Sequence, residues 1–176
     1  DLEPQEEALL QASLDGNPPQ LLGTEILDRL GLNLLLQNRP EEAAVKYEQL
    51  LKLPSLPNPI AIEGLYRLSQ AHAFSQKYES AVNAIQSALK LANKNPMLTY
   101  QLGWIHAQAS DFEEANKVLE QAASLAQQDS DLTSRIRLLQ GDIRVRTRDF
   151  EEAIKTYQLV LNDPSQSEEN QKQCRM

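Results

Sequence analysis

The chain has 176 residues, of which 41% are hydrophobic and only 5% are aromatic, and its formal net charge is −8. This length is enough for one domain with a substantial core, and the shortage of aromatic residues favours helices built from Leu, Ile and Ala over a β-sandwich. The negative charge argues against general affinity for nucleic acid or anionic membranes, and the single cysteine, Cys174, excludes an internal disulfide.

The N-terminal region is predicted to form one helix ahead of the rest of the fold. This helix covers residues 4–15, PQEEALLQASLD, and ends at the segment GNPP. The sequence begins with neither an initiator Met nor the basic-then-apolar order of a signal peptide, so we interpret it as a fragment of a longer or processed protein. No apolar run approaches the roughly 20 residues of a membrane span.

Four later segments of the chain share one pattern. The sequence DFEEA occurs at Asp111–Ala115 and again at Asp149–Ala153, and looser copies lie at Arg39–Ala43 and Lys77–Ala81. Twelve residues before each final Ala lies a small residue, and four residues after it lies a large apolar one. The small residues are Gly31, Ser69, Gly103 and Gly141, and the large apolar residues are Tyr47, Ile85, Leu119 and Tyr157.

The pattern indicates pairs of helices that approach each other closely. The Asp of DFEEA can cap the second helix of a pair, the Glu three residues later can complete a capping box, and both acids suit the positive end of the helix dipole. The small residues and the final Ala occupy places where a larger side chain would push the two helices apart. Apolar residues three and four positions apart form a stripe that one hairpin cannot bury, so the hairpins are expected to stack.

This pattern resembles the tetratricopeptide repeat, a helix–turn–helix unit of about 34 residues, over about residues 24–163. The resemblance implies an all-α, right-handed solenoid of stacked antiparallel helix pairs. Four repeats are expected, at about 24–57, 62–95, 96–129 and 134–163. They follow an N-terminal helix and Pro-rich link at 1–23 and precede a polar tail at 164–176, which is predicted to be disordered or to begin a truncated helix.

Two histidines are the candidates for chemistry. His72 and His106 occupy equivalent places in the second and third repeats, where they form a metal or acid–base site or else fill inter-helix contacts. We favour inter-helix packing, because two ligands without a third carboxylate or thiolate rarely hold a transition metal. The sequence also contains no Gly-rich phosphate loop and no spacing typical of a catalytic triad. We therefore expect no enzyme activity, no cofactor, no metal and no small-molecule substrate.

The resemblance also implies a partner-binding surface. In tetratricopeptide proteins the first helix of each pair lines a concave groove. The groove residues expected here are Tyr66, Arg67, Gln70, Phe74, Tyr100, Gln101, Trp104, Gln108, Arg135 and Arg146. Tyr, Trp and Arg carry much of the binding energy at protein interfaces. The alternative for the aromatic residues is ordinary packing between repeats.

The first helix of the fourth repeat is rich in arginine. Its arginines are Arg135, Arg137, Arg144, Arg146 and Arg148. Two interpretations are open: recognition of an acidic or phosphorylated segment, or pairing with Glu113, Glu114 and Glu120 of the neighbouring helix. In either case Arg135 and Arg146 are expected to face the groove, whereas Arg137 and Arg144 are expected to lie between helices.

Together these features predict a non-catalytic scaffold that binds a partner peptide or helix and does not bind nucleic acid. Two alternatives stay open. One is a regulatory or assembly module of a larger enzyme or membrane complex. The other is a homo-oligomer formed through the exposed ends of the solenoid. The sequence favours the cytoplasm or the periphery of a membrane complex without identifying a compartment.

Overall fold

The computed structural model describes residues 4–16, 18–127 and 129–162, with side chains from Glu7 onwards. Within these ranges the chain forms nine α-helices and no strand. The helices are α1 (Pro4–Asp15), α2 (Gln20–Leu36), α3 (Pro40–Leu51), α4 (Asn58–Phe74), α5 (Tyr78–Leu91), α6 (Pro96–Gln108), α7 (Phe112–Leu125), α8 (Ser130–Arg146) and α9 (Phe150–Leu161). The expected polar tail at 164–176 lies outside the described residues.

The described residues fall into two compact units. The first ends at Asn93 and contains α1–α5, and the second begins at Lys94 and contains α6–α9. In the first unit α2 packs on α3, α4 packs on α5, and α3 also contacts α4. In the second unit α6 packs on α7, α8 packs on α9, and both α6 and α7 contact α8. The predicted all-α fold of antiparallel helix pairs is therefore confirmed.

The alanine that ends each repeated motif is buried at a helix contact. Ala43, Ala81 and Ala115 are 0% exposed and Ala153 is 2% exposed. In the first unit the core contains Leu34, Ala43, Ala44, Tyr47, Leu68, Ala71 and Ala84. In the second unit it contains Ala107, Ala115, Leu119, Ala122, Ala126, Leu132, Ile136, Leu139 and Ile143. Apart from Tyr47, both cores are built from aliphatic side chains and alanines, as the composition indicates.

The small residues on the first helices face large side chains on the second helices. A Cβ atom added at Gly31 would lie 2.6 Å from Cζ of Tyr47. One added at Gly103 would lie 2.8 Å from Cδ2 of Leu119. The glycine of the fourth pair is crowded by a tyrosine in the same way. These glycines therefore leave room for a bulky apolar side chain at the closest approach of the two helices.

The turns within the four pairs have one common geometry. In the first, the N–H of Arg39 donates to the carbonyl of Leu34 at 2.8 Å and the N–H of Asn38 donates to the carbonyl of Leu35 at 3.0 Å. This is a Schellman motif, and it recurs with the same spacing in the other three turns. Its left-handed residues are Asn38, Gln76, Ser110 and Arg148, with φ of 58°, 59°, 62° and 65°. Each of these positions favours glycine, yet none of them is glycine.

The turn geometry decides how the DFEEA motif caps its helix. Asp111 accepts a hydrogen bond from the N–H of Glu114 at 3.5 Å, whereas Asp149 makes no such side-chain bond. The predicted cap is thus confirmed at Asp111 and wrong at Asp149. The backbone N–H groups of these aspartates donate instead to the carbonyls of His106 and Arg144, at 2.9 and 2.8 Å. A capping box would need the same N–H groups, so the Schellman turn excludes it.

Replacing Gln76 with Gly is expected to raise the free energy of unfolding by about 0.5–1 kcal/mol, because Gly adopts the left-handed conformation without strain. Asn38→Gly is the matched variant in the first turn and should gain less, because Asn tolerates this conformation better than Gln. Thermal melts of both variants measure the difference. A lower melting temperature for Gln76→Gly would show that its side chain contributes more than the strain costs.

Candidate functional site

The first candidate surface lies on α4, and we name it the α4 patch. It consists of Tyr66, Arg67, Gln70 and Phe74. The guanidinium of Arg67 lies 5.6 Å from the centroid of the Tyr66 ring. Arg67 donates to Oε1 of Gln70 at 3.4 Å, and Nε2 of Gln70 donates to the hydroxyl of Tyr66 at 3.1 Å. These three side chains support one another in a hydrogen-bonded network, while Phe74 is 55% exposed at the end of the helix.

The second candidate surface, the α6–α8 patch, lies in the second unit. It consists of Tyr100, Trp104 and Gln108 on α6, with Arg135 and Arg146 on α8. The guanidinium of Arg135 lies 5.3 Å from the centroid of the Tyr100 ring, and Arg146 donates to the backbone carbonyl of Ala107 at 3.1 Å. Tyr100 and Trp104 are half-buried and pack against the core of this unit, whereas Arg135 and Arg146 are exposed. The two aromatic rings therefore pack against the core and also form part of the surface patch.

Gln101, expected in the groove, is instead buried, with 3% of its side chain exposed. Its Nε2 makes no hydrogen bond with any residue that the structure describes. The reason is the helical period: Leu98, Gln101 and Ile105 are three and four positions apart and form the buried face of α6. Tyr100 lies on a neighbouring face. Gln101 is therefore not available at the surface and does not belong to the α6–α8 patch.

The arginines of α8 differ in their surroundings. Arg144 is half-buried and donates to the carbonyl of Glu152 at 3.2 Å and to the hydroxyl of Thr156, both on α9. Arg144 therefore links α8 to α9, in keeping with its expected place between helices. Glu114, one of the acids expected to pair with the arginines, binds Lys117 at 3.0 Å.

The two histidines differ in their surroundings: His106 faces an aspartate, whereas Nδ1 of His72 is buried and makes no hydrogen bond with any described residue. Nδ1 of His106 lies 3.1 Å from Oδ2 of Asp111, across the turn between α6 and α7. Burial lowers the pKa of His72, with Glu48 opposing this shift and Lys77 adding to it. In the part of the chain that the structure describes, no three His, Cys, Asp or Glu side chains are grouped so that they could hold a metal ion. None of the described helices is both long and apolar enough to span a bilayer.

A third surface feature was not predicted from the sequence. It is a cleft of about 470 Å³ between α2 and α4, whose lining includes Leu21, Thr24, Ile60 and Gly64. Leu21 lies in the segment predicted to be a Pro-rich link. In the structure α2 begins at Gln20, so Leu21 belongs to the first turn of this helix. Neither helix alone carries a sequence signal for the cleft, because its lining comes from residues of both α2 and α4.

The helix pairs with their close Gly contacts and repeated Schellman turns define a helical-hairpin repeat protein. The tetratricopeptide repeat family model matches residues 66–130 and 100–168, which together span more than half of the chain. The chain belongs to the tetratricopeptide repeat family.

Several solved structures have a similar fold. MamA is 19% identical, with a TM-score of 0.68 over 97% of this chain and 90% of that chain. The type IV pilus biogenesis factor PilW is 18% identical, with a TM-score of 0.70 over 87% of this chain and 67% of that chain. A tetratricopeptide repeat protein from Parabacteroides merdae ATCC 43184 is 16% identical, with a TM-score of 0.68 over 96% of this chain and 64% of that chain. No curated protein matches the sequence.

Proposed function

We propose that the chain is a non-catalytic module that binds segments of partner proteins, with the α6–α8 patch as its binding surface and the α4 patch as a separate candidate surface. The observation that carries this proposal is the exposed Arg135 guanidinium stacked on Tyr100, 5.3 Å from its centroid, in one patch with Trp104. Tyr, Trp and Arg dominate the energetics of protein interfaces. Membership of a family of interaction modules supports the same conclusion.

The charges of the α6–α8 patch favour an acidic or phosphorylated segment. Arg135 and Arg146 are exposed cations on a chain whose net charge is −8. The Tyr100 ring holds the Arg135 guanidinium in one orientation, which lowers the entropic cost of a bidentate contact to a carboxylate or phosphate. Arg146 is similarly oriented by the Ala107 carbonyl.

Trp104→Ala is expected to weaken the binding of selected acidic peptides by about 2 kcal/mol, as for an interface hot spot. The peptides come from a random twelve-residue library displayed on phage and selected against the protein. Calorimetry measures their affinity at low and high salt. Rising salt should weaken the complex, because exposed charge pairs are screened over roughly 8–10 Å.

Two further variants separate binding from folding. Trp104 packs partly on the core, so circular dichroism must show that helical content persists in its variant. Arg135→Glu changes an exposed side chain and should abolish binding without unfolding. Leu159→Ala is the control, because Leu159 is 61% exposed on α9 and outside both patches. The proposal fails if no library peptide binds. It also fails if the selected peptides bind Trp104→Ala, Arg135→Glu and variants of the α4 patch as tightly as they bind wild type.

Self-association is a second candidate function, favoured by the exposed apolar side chains of α9. Phe150 and Ile154 are four positions apart and each is 57% exposed. Sedimentation of wild type and Ile154→Asp measures this directly. A wild-type monomer at high concentration would leave partner binding as the better account of the chain.

A further inference from the structure

The cleft between α2 and α4 has an apolar floor and is open to solvent. Its main cavity, of about 470 Å³, is lined by the apolar residues Leu21, Leu50, Pro59 and Ile60 together with Thr24 and Gly64. A second cavity of about 270 Å³ shares Leu21, Thr24 and Ile60 with it and continues along the loop at 52–57. The side chain of Leu21 is 77% exposed at the edge. An apolar side chain entering the cleft would therefore cover apolar surface that now contacts water.

Three carboxylates border this apolar floor. Glu25 and Asp28 lie on α2, and Glu63 lies on α4. Glu25 pairs with Arg29 at 3.0 Å, and Glu63 pairs with Arg67 at 2.8 Å, but both glutamates are largely exposed. The border of the cleft is thus anionic although each glutamate has a local partner.

Asp28 differs from the two glutamates. Its carboxylate is half-buried and forms no hydrogen bond or ion pair with any described residue. Burial raises the pKa of Asp28; Arg67 opposes this shift and Glu63 adds to it. From α3, the hydroxyl of Tyr47 reaches only the backbone carbonyl of Asp28, at 3.4 Å. The charge of Asp28 is therefore incompletely compensated in the free protein.

We propose that the α2–α4 cleft binds a protein segment in which an apolar side chain stands next to a Lys or Arg. The apolar side chain occupies the floor beside Leu21 and Ile60, and the cation pairs with Asp28. This proposal rests on the proposed function, binding of partner segments, and adds a second site with the opposite charge preference from the α6–α8 patch.

The chemistry of the cleft favours this ligand over the other classes that bind apolar grooves. A lipid headgroup or a nucleic acid would bring phosphate towards three carboxylates, which is unfavourable. A purely apolar segment would cover Asp28 without a cation, leaving a desolvated charge unpaired. A basic and apolar segment fills the floor and supplies the missing cation at the same time.

The same twelve-residue phage library provides the test. The expected result is a second class of peptides, distinct from the acidic ones, with Lys or Arg beside Leu, Ile or Phe. Leu21→Ala should weaken their binding about tenfold through lost apolar contact, and Asp28→Asn should weaken it about tenfold through the lost charge pair. The matched controls are Leu36→Ala, on a leucine that is 64% exposed at the far end of α2, and Glu41→Gln, on an exposed acid of α3 outside the cleft.

The stability of Asp28→Asn separates lost binding from lost folding. Because burial raises the pKa of Asp28, its ionised form disfavours the folded state, so Asp28→Asn should melt at a higher temperature than wild type at neutral pH. The difference should disappear at a pH low enough to protonate Asp28 in both the folded and the unfolded chain. A variant that is more stable yet binds more weakly assigns Asp28 to ligand binding.

Three outcomes overturn the proposal, and they differ in what else they affect. Basic peptides that bind wild type, Leu21→Ala and Asp28→Asn equally well would place their site elsewhere and leave the proposed function intact. Selection of acidic peptides alone, sensitive to Trp104→Ala and Arg135→Glu, would do the same. If no peptide of either class binds, both the cleft proposal and the proposed function fail.

Discussion

Replacing Ala115 with Leu is expected to lower the free energy of unfolding by about 3 kcal/mol, at the upper end of the range for overpacked cores. Ala115 is 0% exposed and lies in the core of the second unit with Leu119 and Ile136. Leu adds three carbon atoms at a place where helices already touch, so α6 and α7 must separate or neighbouring side chains must leave their preferred rotamers. Urea denaturation followed by circular dichroism measures the loss.

Gln121→Leu is the control on the same helix, because Gln121 is exposed on α7. It should change the free energy of unfolding by no more than about 0.5 kcal/mol. Ala153→Leu tests the equivalent place on α9, where Ala153 is 2% exposed, and should resemble Ala115→Leu. Unfolding curves of both alanine variants that match wild type would show that the repeated motif does not mark the helix contacts.

The fold could be predicted because its main determinants are local and recur. A helix contact needs a small residue, and a small residue appears at the same spacing before each motif, as at Gly31 and Ser69. One small residue followed by one motif is weak evidence for a helix pair. Four such combinations with the same spacing constrain the alignment of every helix pair. The turns could not be predicted as well, because none of their left-handed residues is glycine, and Gln76 and Arg148 give no sign of such a conformation.

The candidate surfaces were harder to predict because polar residues do not reveal which face they occupy. Gln101 is a polar residue of a type usually found at the surface, but it lies on the buried face of α6 with Ile105. Its neighbour Tyr100 is large and apolar but reaches the surface, where Arg135 covers it. Neighbouring residues of a helix point in directions about 100° apart. An alignment error of one residue is therefore enough to exchange a buried and an exposed assignment. The α2–α4 cleft needs the spatial meeting of two helices and has no signature in either one alone.

Replacing Gly31 with Ala is expected to lower the free energy of unfolding by about 2 kcal/mol, although Ala is the better helix former by up to about 1 kcal/mol. The new Cβ would lie 2.6 Å from Cζ of Tyr47, a ring that is 0% exposed and cannot move into solvent. Gly23→Ala is the matched control on the same helix, because its Cβ would meet only Pro18, at 3.8 Å. That variant should gain stability through helix propensity alone, by about 0.5–1 kcal/mol.

The second helix pair suggests a second substitution that offsets the loss of stability caused by a larger residue at position 31. Where the first pair has Gly31 and Tyr47, the second has Ser69 and Ile85, both fully buried. In the second pair a serine side chain on the first helix is thus accommodated together with Ile85, which is shorter than a tyrosine. The double variant Gly31→Ser with Tyr47→Ile should therefore be more stable than the sum of the single changes, with a coupling of about 1–2 kcal/mol. Additive losses in this double-mutant cycle, measured by urea denaturation, would show that the two positions act independently and that Tyr47 does not determine the need for glycine.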